Sequence, residues 1–210
     1  MPDRRVYVVD DDAQFRGALQ FLFMTHQMTS QAFADGRTFV EKIEDLDPGC
    51  VLLDIRMPHM DGMTALERMQ PFLDRFAVIV MTGHGDVHTA VKAMKMGAID
   101  FVEKPFDEEM LVGMVQNAQQ RVKIVQAESE SRRAAEEKVS KLTPREKEVL
   151  LHLMSGSSNK TAAQKMGVSP RTVEMHRSNM TDRLGANKLS EAIRVAFLAG
   201  LMPEEDESSG

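Results

Sequence analysis

The chain has 210 residues, 42% of them hydrophobic and 28% charged, with a formal net charge of −6. That suits one large or two small domains, and no apolar run approaches the ~20 residues that a membrane span needs. The opening MPDRRVYVVDDD shows no cleavable leader pattern, and the single cysteine, Cys50, excludes an intramolecular disulfide and a multi-cysteine metal site.

The first half alternates strand and helix signals. VYVVD (6–10) is a β-branched run ending in acid, and residues 12–26 follow with helical spacing at Phe15, Leu19, Leu22 and Phe23. TSQAFA (29–34) is a weaker strand candidate. CVLLD (50–54), AVIVMTG (77–83) and IDFVEKP (99–105) are further short apolar runs, with Cys50 expected as a small buried residue. Helical patterns separate them at about 35–45, 62–75 and 85–96. Such alternation predicts a parallel sheet covered by helices on both faces. The continuous apolar runs predict strands buried on both faces.

From Asp107 the pattern turns helical. Leu111, Val115, Ala118, Val122 and Val125 follow a 4-3-4-3 spacing, read as a coiled-coil-like seam. The charged stretch 128–138, without Gly or Pro, continues as a helical linker that pairs with its twin in a dimer, the alternatives being a solvated helix or a flexible hinge. KLTPREKEVL (141–150) opens a new domain, with Thr143 as N-cap, Pro144 at N1 and Glu146 completing a capping box. Helices are expected from about Ser158, from Ser169-Pro170 to about Leu184, and from about Leu189 to Ala199, with Gly167 ending the first of these three. The domains expected are 1–122, a linker at 123–140, an all-α domain at 141–202 and a disordered tail at 203–210.

In an open parallel sheet, ligands bind at the carboxyl ends of strands. Asp10, Asp11, Asp54, Thr82 and Lys104 all stand at such ends. Clustered carboxylates repel unless a cation neutralises them, and oxygen ligands select Mg²⁺. A carboxylate is also a competent nucleophile toward a phosphoryl group, giving an acyl phosphate. Asp54, outside the adjacent pair, is the natural acceptor; Asp10 and Asp11 are the natural metal holders. Lys104 and the Thr82 hydroxyl suit the charge that develops on the equatorial oxygens.

VVDDD, LLDIRMPHMDG, MTG and EKPF resemble, in order and spacing, the successive motifs of receiver domains across roughly residues 3–120. The resemblance implies Asp54 as phospho-acceptor, Asp11 and Asp54 as direct Mg²⁺ ligands, and Asp10 acting through water. It also implies the Arg56 backbone carbonyl as a ligand, Lys104 on the phosphoryl oxygens, and a cis Lys104-Pro105 peptide. Thr82 and Phe101 would form the switch. The output face would comprise the fourth helix, fifth strand and fifth helix, with Val91, Lys95 and Asp100 as dimer contacts. Asp12, where many receivers carry Glu, is read as a pocket-rim group.

The helices near 158–166 and 170–184 flank a short Gly-Val-Ser-Pro turn, as in a helix-turn-helix. Val173, Met180 and Leu184 share the expected core face. Arg171, Glu174, Met175, Ser178 and Asp182 fall on an outer face suited to base edges in the major groove. Lys160, Thr161, Arg171, Thr172, Arg177 and Asn179 are candidate phosphate contacts. Residues 141–202 hold ten basic and five acidic side chains, or +5, against sixteen and twenty-seven, or −11, in the rest. An acidic body joined to a basic module is what a regulated DNA binder would show.

The stretch LTPREKEVL…NKTAAQKMGVSPRTVEMHRSNMTDRLGANKLSEAIRVA closely resembles the four-helix output domain of the FixJ/NarL/LuxR family, and SPRTVEMHR points to the FixJ subgroup. Ser178 replaces a basic residue that some relatives carry. The resemblance implies a cytoplasmic two-component response regulator: a five-stranded, doubly wound α/β receiver, a helical linker and a LuxR-type helix-turn-helix domain. A sensor histidine kinase would phosphorylate Asp54 with Mg²⁺, promoting homodimerisation and binding to double-stranded DNA, with RNA polymerase a candidate partner. It would be no enzyme beyond its own phosphotransfer and dephosphorylation.

Other classes fit less well. A phosphate sink with a vestigial DNA module conflicts with the +5 charge and the intact outer face. A Ser-His-Asp hydrolase lacks a serine in a strand-to-helix elbow. His26, His59, His84, His88 and His152 form no spaced ligand cluster, and His176 is expected to pack or to reach a phosphate. An RNA-binding output lacks a stacking platform, with 5% aromatics and no Trp.

Overall fold

The computed structural model describes residues 5–83 and 87–203; His84 and the tail from 204 onward lie outside the described residues. Two compact units divide between Ala127 and Glu128. The expected receiver and linker limits, at 122 and 140, lie on either side of this division.

In the first unit, β1 (Arg5–Val9), β2 (Thr29–Phe33), β3 (Gly49–Asp54), β4 (Phe76–Thr82) and β5 (Asp100–Glu103) pair in parallel in the order β2-β1-β3-β4-β5. Side chains alternate across a strand, so VYVV feeds two cores at once. Val6 and Val8 join Leu19, Leu22, Phe23, Cys50, Leu52 and Ile79 on one face. Tyr7 and Val9 join Phe39, Leu53, Leu66 and Phe76 on the other. β3 and β4 are buried along their whole length, whereas β2, the weakest strand by sequence, is an edge strand with a mostly accessible pattern. Each fully buried large side chain contributes about 1.5–3 kcal/mol.

The helices of this unit are α1 (Ala13–Thr25), α2 (Gly36–Lys42), α3 (Gly62–Met69), α4 (Val87–Lys95) and α5 (Glu108–Ser140), the last of which contains the division between the units. α3 is shorter than the 62–75 helix expected. Pro71 has no N–H to give to the Glu67 carbonyl; Gln70 donates to it instead, and a 3-10 turn, Gln70–Phe72, follows.

The 4-3-4-3 spacing of α5 has a different use from the one expected. Leu111, Val115, Ala118 and Val122 are buried in the sheet core beside Val6, Val8 and Ile79, so the first part of that row is an intradomain face and not a helix–helix seam. The two patterns look alike in sequence because a helix packed on a sheet also repeats apolar residues every three or four positions.

Asp35 is the N-cap of α2, its carboxylate accepting from the Thr38 N–H at 2.7 Å and the Thr38 hydroxyl at 2.8 Å. The Thr38 amide, then its hydroxyl, hold this carboxyl below its usual range. Its stabilisation is therefore present above the ordinary Asp value and lost as pH falls through the depressed one. Asp35→Ala should cost about 1 kcal/mol at neutral pH. In thermal melts, the gap to the parent chain should close as the pH falls below the ordinary Asp value and through the depressed one.

The second unit is helical: α6 (Pro144–Met154), α7 (Asn159–Met166), α8 (Pro170–Leu184) and α9 (Leu189–Leu198). Its core gathers Val139, Val149, Leu150, Leu153, Ala162, Ala163, Val173, Met180, Leu184, Ala192 and Ala196. Thr143 and Glu146 form the expected capping box at α6. Buried Glu146 also pairs with the Arg183 guanidinium at 3.2 Å, tying the end of α8 to the start of α6. Among the described residues, no helix is long and apolar enough to cross a membrane.

Candidate functional site

The order of the sheet reverses between β1 and β3, the kind of switch point beside which open parallel sheets bind their ligands. Asp10 follows β1 directly and Asp54 ends β3. The Lys104 N–H donates to the Thr82 carbonyl at 2.8 Å, which continues the β4–β5 ladder and brings Lys104 to the same end of the sheet. The Lys104-Pro105 peptide is cis, as the motif implied. Lys104 Nζ lies 2.5 Å from Asp10 Oδ2 and 2.7 Å from Asp54 Oδ1. The remaining oxygens are held by the backbone: Asp10 Oδ1 accepts from the Asp12 N–H at 2.9 Å, and Asp54 Oδ2 from the Arg56 N–H at 2.8 Å.

Burial dominates the electrostatics here. It raises the Asp54 carboxyl above its ordinary range, while Lys104 partly offsets the shift and Asp10 adds to it. Burial works against the Lys104 ammonium, but its bonds to Asp10 and Asp54 hold it above the usual lysine value. Two buried carboxylates thus share one ammonium. Asp11 is exposed, and among the described residues no three His, Cys, Asp or Glu side chains are arranged to hold a metal. The structure therefore brings Asp10, Asp54 and Lys104 together and leaves Asp11 out of a preformed ligand set.

Thr82 is buried at the end of β4. Phe101 is 41% exposed, on the face of β5 opposite buried Val102. Val91 and Lys95 are exposed one turn apart on α4, and Asp100, half-buried, opens β5 and accepts from the Phe101 N–H at 2.9 Å.

Four features of this site were not legible in the motifs. Asp12, read as a rim group, is the N-cap of α1, accepting from the Gln14 and Phe15 N–H groups. Arg16 donates to the Asp10 carbonyl at 2.7 Å. Phe15 faces Lys104 and packs on Phe106. Gly62 lies so close to the Asp54–Ile55 backbone that a Cβ there would overlap the Asp54 carbonyl oxygen. Only the Asp12 spacing before an apolar helix carried a sequence signal for its role. Cys50 is fully buried and its thiol is pushed up by that burial, which fits an inert core residue.

In the second unit, α7 ends on Gly167 in the left-handed region (φ 66°) and α8 begins three residues later, giving the helix-turn-helix geometry. Ser158 and Ser169 cap the two helices, each accepting from an N–H three residues on and pairing with the hydroxyl of Thr161 or Thr172. Val173, Met180 and Leu184 are buried, as their spacing predicted. Lys160, Thr161, Arg171, Glu174, Met175, Ser178 and Asn179 are exposed; Thr172, His176 and Arg177 are half-buried. Ser169, Arg171, Thr172, Glu174 and Met175 line an open concavity at the start of α8. The Thr161 and Thr172 hydroxyls are engaged in capping, so their helix-start geometry is fixed before any ligand arrives.

Comparison with known proteins bears on both units. Residues 6–116 match the response regulator receiver domain, and residues 140–196 match the family of bacterial regulatory proteins of the luxR type. The chain is 40% identical over 200 residues to the transcriptional regulatory protein FixJ of Bradyrhizobium diazoefficiens, covering 94% of this chain and 96% of that one. It is 39% identical to FixJ of Azorhizobium caulinodans over 96% and 95% of the two chains. Among solved structures, the response regulator StyR matches with a TM-score of 0.82 at 32% identity, over 93% of this chain and 98% of that one. Full-length FixJ from B. japonicum matches with a TM-score of 0.58 at 38% identity, over 96% and 100%. The chain belongs to the two-component response regulators of the FixJ/NarL/LuxR family: a receiver domain coupled to a LuxR-type DNA-binding domain, regulating transcription in response to phosphorylation.

Proposed function

We propose that Asp54 is the residue phosphorylated, by a sensor histidine kinase. The observation that carries this is the Lys104 ammonium bonded to both Asp10 and Asp54 at the carboxyl ends of three strands. An Asp54 oxygen attacks the phosphorus of the donor's phosphohistidine, the N–P bond breaks, and the imidazole leaves as the acyl phosphate forms. Lys104 draws the equatorial oxygens toward itself, and the Arg56 N–H holds the Asp54 oxygen it already bonds. Thr82 then moves toward the phosphoryl group and Phe101 turns inward, which biases a two-state equilibrium.

The donor set fits Mg²⁺: Asp10, Asp11, Asp54 and the Arg56 carbonyl are hard oxygen ligands, and the two buried carboxylates exceed the charge of the single ammonium between them. Bound there, the ion would neutralise charge on the phosphoryl group as it transfers. The receiver's chemistry would be limited to its own phosphotransfer and hydrolysis. The protein would act in the cytoplasm.

Phosphorylated receivers would pair through Val91, Lys95 and Asp100 into a homodimer, placing two copies of α8 on half-sites one helical turn apart. Linked modules bind far better than one alone. RNA polymerase is the further partner this reading invites. Glu174 would accept from a cytosine N4 amino group, Met175 would touch a thymine methyl, and Ser178 would border the same bases. Lys160, Thr161, Arg171, Thr172, Arg177 and Asn179 would hold phosphates.

Arg171→Ala should weaken binding alike on all sequences and reduce its salt dependence by about one charge. Glu174→Ala should instead relax preference at one base pair, by about 1–3 kcal/mol. Binding titrations at several salt concentrations on matched and single-mismatch duplexes separate the two. Equal losses on every duplex for Glu174→Ala would remove it from base readout. For the switch, sedimentation with and without beryllofluoride and Mg²⁺ should show a monomer-to-dimer shift; an unchanged mass would reject phosphorylation-driven pairing.

A further inference from the structure

Phe15 takes no part in the chemistry above, yet its ring centroid lies 4.3 Å from Lys104 Nζ. The ring is fixed from two sides. Its backbone is in the first turn of α1, with its N–H bonded to the Asp12 cap at 3.2 Å. The ring also forms a T-shaped pair with Phe106, at 5.8 Å between centroids and 68° between planes. Both rings pack against the core on the α1–α5 side. Phe106 lies two residues beyond Lys104, so the same β5–α5 loop carries the lysine and the buttress of its aromatic neighbour.

A lysine ammonium has three N–H donors on a flexible four-carbon stem. Here two directions are taken by Asp10 and Asp54. The ring stands against the ammonium, presenting the negative face of its quadrupole to the positive charge. An aliphatic side chain would fill similar space without that attraction, leaving the ammonium free to sample water instead of the carboxylates.

We propose that Phe15 is a positioning residue for phosphorylation: with Phe106 behind it, its ring holds the Lys104 ammonium over the Asp54 carboxylate by cation–π attraction. This rests on the reading of Asp54 as acceptor and Lys104 as its electrostatic partner. Acting only through Lys104, Phe15 raises the rate of phosphoryl uptake without touching the phosphoryl group.

The test uses the full chain, with acetyl phosphate and Mg²⁺ as the phosphoryl source and acyl phosphate formation as the readout. Phe15→Leu should slow formation by about 3–10-fold. Because Leu also alters packing, the deciding series replaces Phe15 with mono-, di- and trifluorophenylalanine, which weaken the ring quadrupole with little change in shape. The logarithm of the rate should fall stepwise with each fluorine, while melting temperatures stay level. A flat series would overturn the proposal and leave Phe15 a packing residue. Asp54→Asn, run alongside, separates the two levels. If it took up phosphate like the parent chain, the acceptor assignment would fail; if uptake needed Asp54 while the series stayed flat, only the role of Phe15 would fail.

Discussion

Asp54→Asn is expected to abolish acyl phosphate formation and, with it, dimerisation driven by acetyl phosphate. The amide has nearly the shape of the carboxylate but is not a nucleophile of comparable strength, and an N-linked phosphoryl group would not form under these conditions. The fold should be unharmed. Burial raises the Asp54 carboxyl above its ordinary range even with Lys104 beside it, so the folded site disfavours the ionised form relative to water. A neutral isostere removes that cost, while Asp10 remains at 2.5 Å to hold Lys104. The variant should therefore melt no lower than the parent chain at neutral pH, and intact-mass spectra after acetyl phosphate should show a single unmodified species. A phosphorylated species in that spectrum would move the acceptor elsewhere; a folded but markedly less stable variant would contradict the electrostatic argument.

Gly62→Ala should be among the most damaging single-methyl changes in the receiver. The added Cβ would overlap the Asp54 carbonyl oxygen and lie 2.8 Å from Ile55 Cα. Both are backbone atoms of the strand end and its loop, so neither can rotate away. The Gly62 N–H also donates to the Ile55 carbonyl at 2.9 Å, which fixes the start of α3 against this loop. Relief must come from moving α3 or the Asp54–Arg56 turn, at about 1–3 kcal/mol or somewhat more. Displacing that turn also shifts the Arg56 N–H away from Asp54, so phosphoryl uptake should fall together with the melting temperature. Gly17→Ala is the control within the same domain. It lies on an exposed position of α1 with nothing within 4 Å of a new Cβ, and should stabilise by about 0.5–1 kcal/mol. Equal melting temperatures for Gly62→Ala and the parent would show that the close approach at α3 is not constrained.

Much of this site was legible because strands announce themselves by apolar runs and place their next residues at one end of the sheet. Asp10, Asp54, Thr82 and Lys104 needed only that rule. Thr143, Glu146, Gly167 and Ser169 were equally open to reading, since caps and left-handed turns are local chemistry. Phe15 was hidden by its own periodicity: it falls in step with Leu19, Leu22 and Phe23, which are core residues, and only the three-dimensional path of the β5–α5 loop puts Lys104 against it. The row from Leu111 to Val122 is ambiguous for a related reason: helical spacing reports that a face is apolar and not what covers it, and here the sheet covers it. Gly62 stood inside a recognised motif, but its necessity comes from a backbone contact eight residues away that no local pattern encodes. The joining of Asp10 to Lys104 is likewise a contact across 94 residues, which no local pattern encodes.

The most direct test of a phosphorylation-switched transcription factor is recovery of genomic DNA by the full chain, sequenced with and without beryllofluoride and Mg²⁺. A two-fold-symmetric motif should be enriched only with the phosphoryl mimic. The same motif recovered equally in both conditions, or no selective recovery in either, would rule out a switch of DNA binding by phosphorylation.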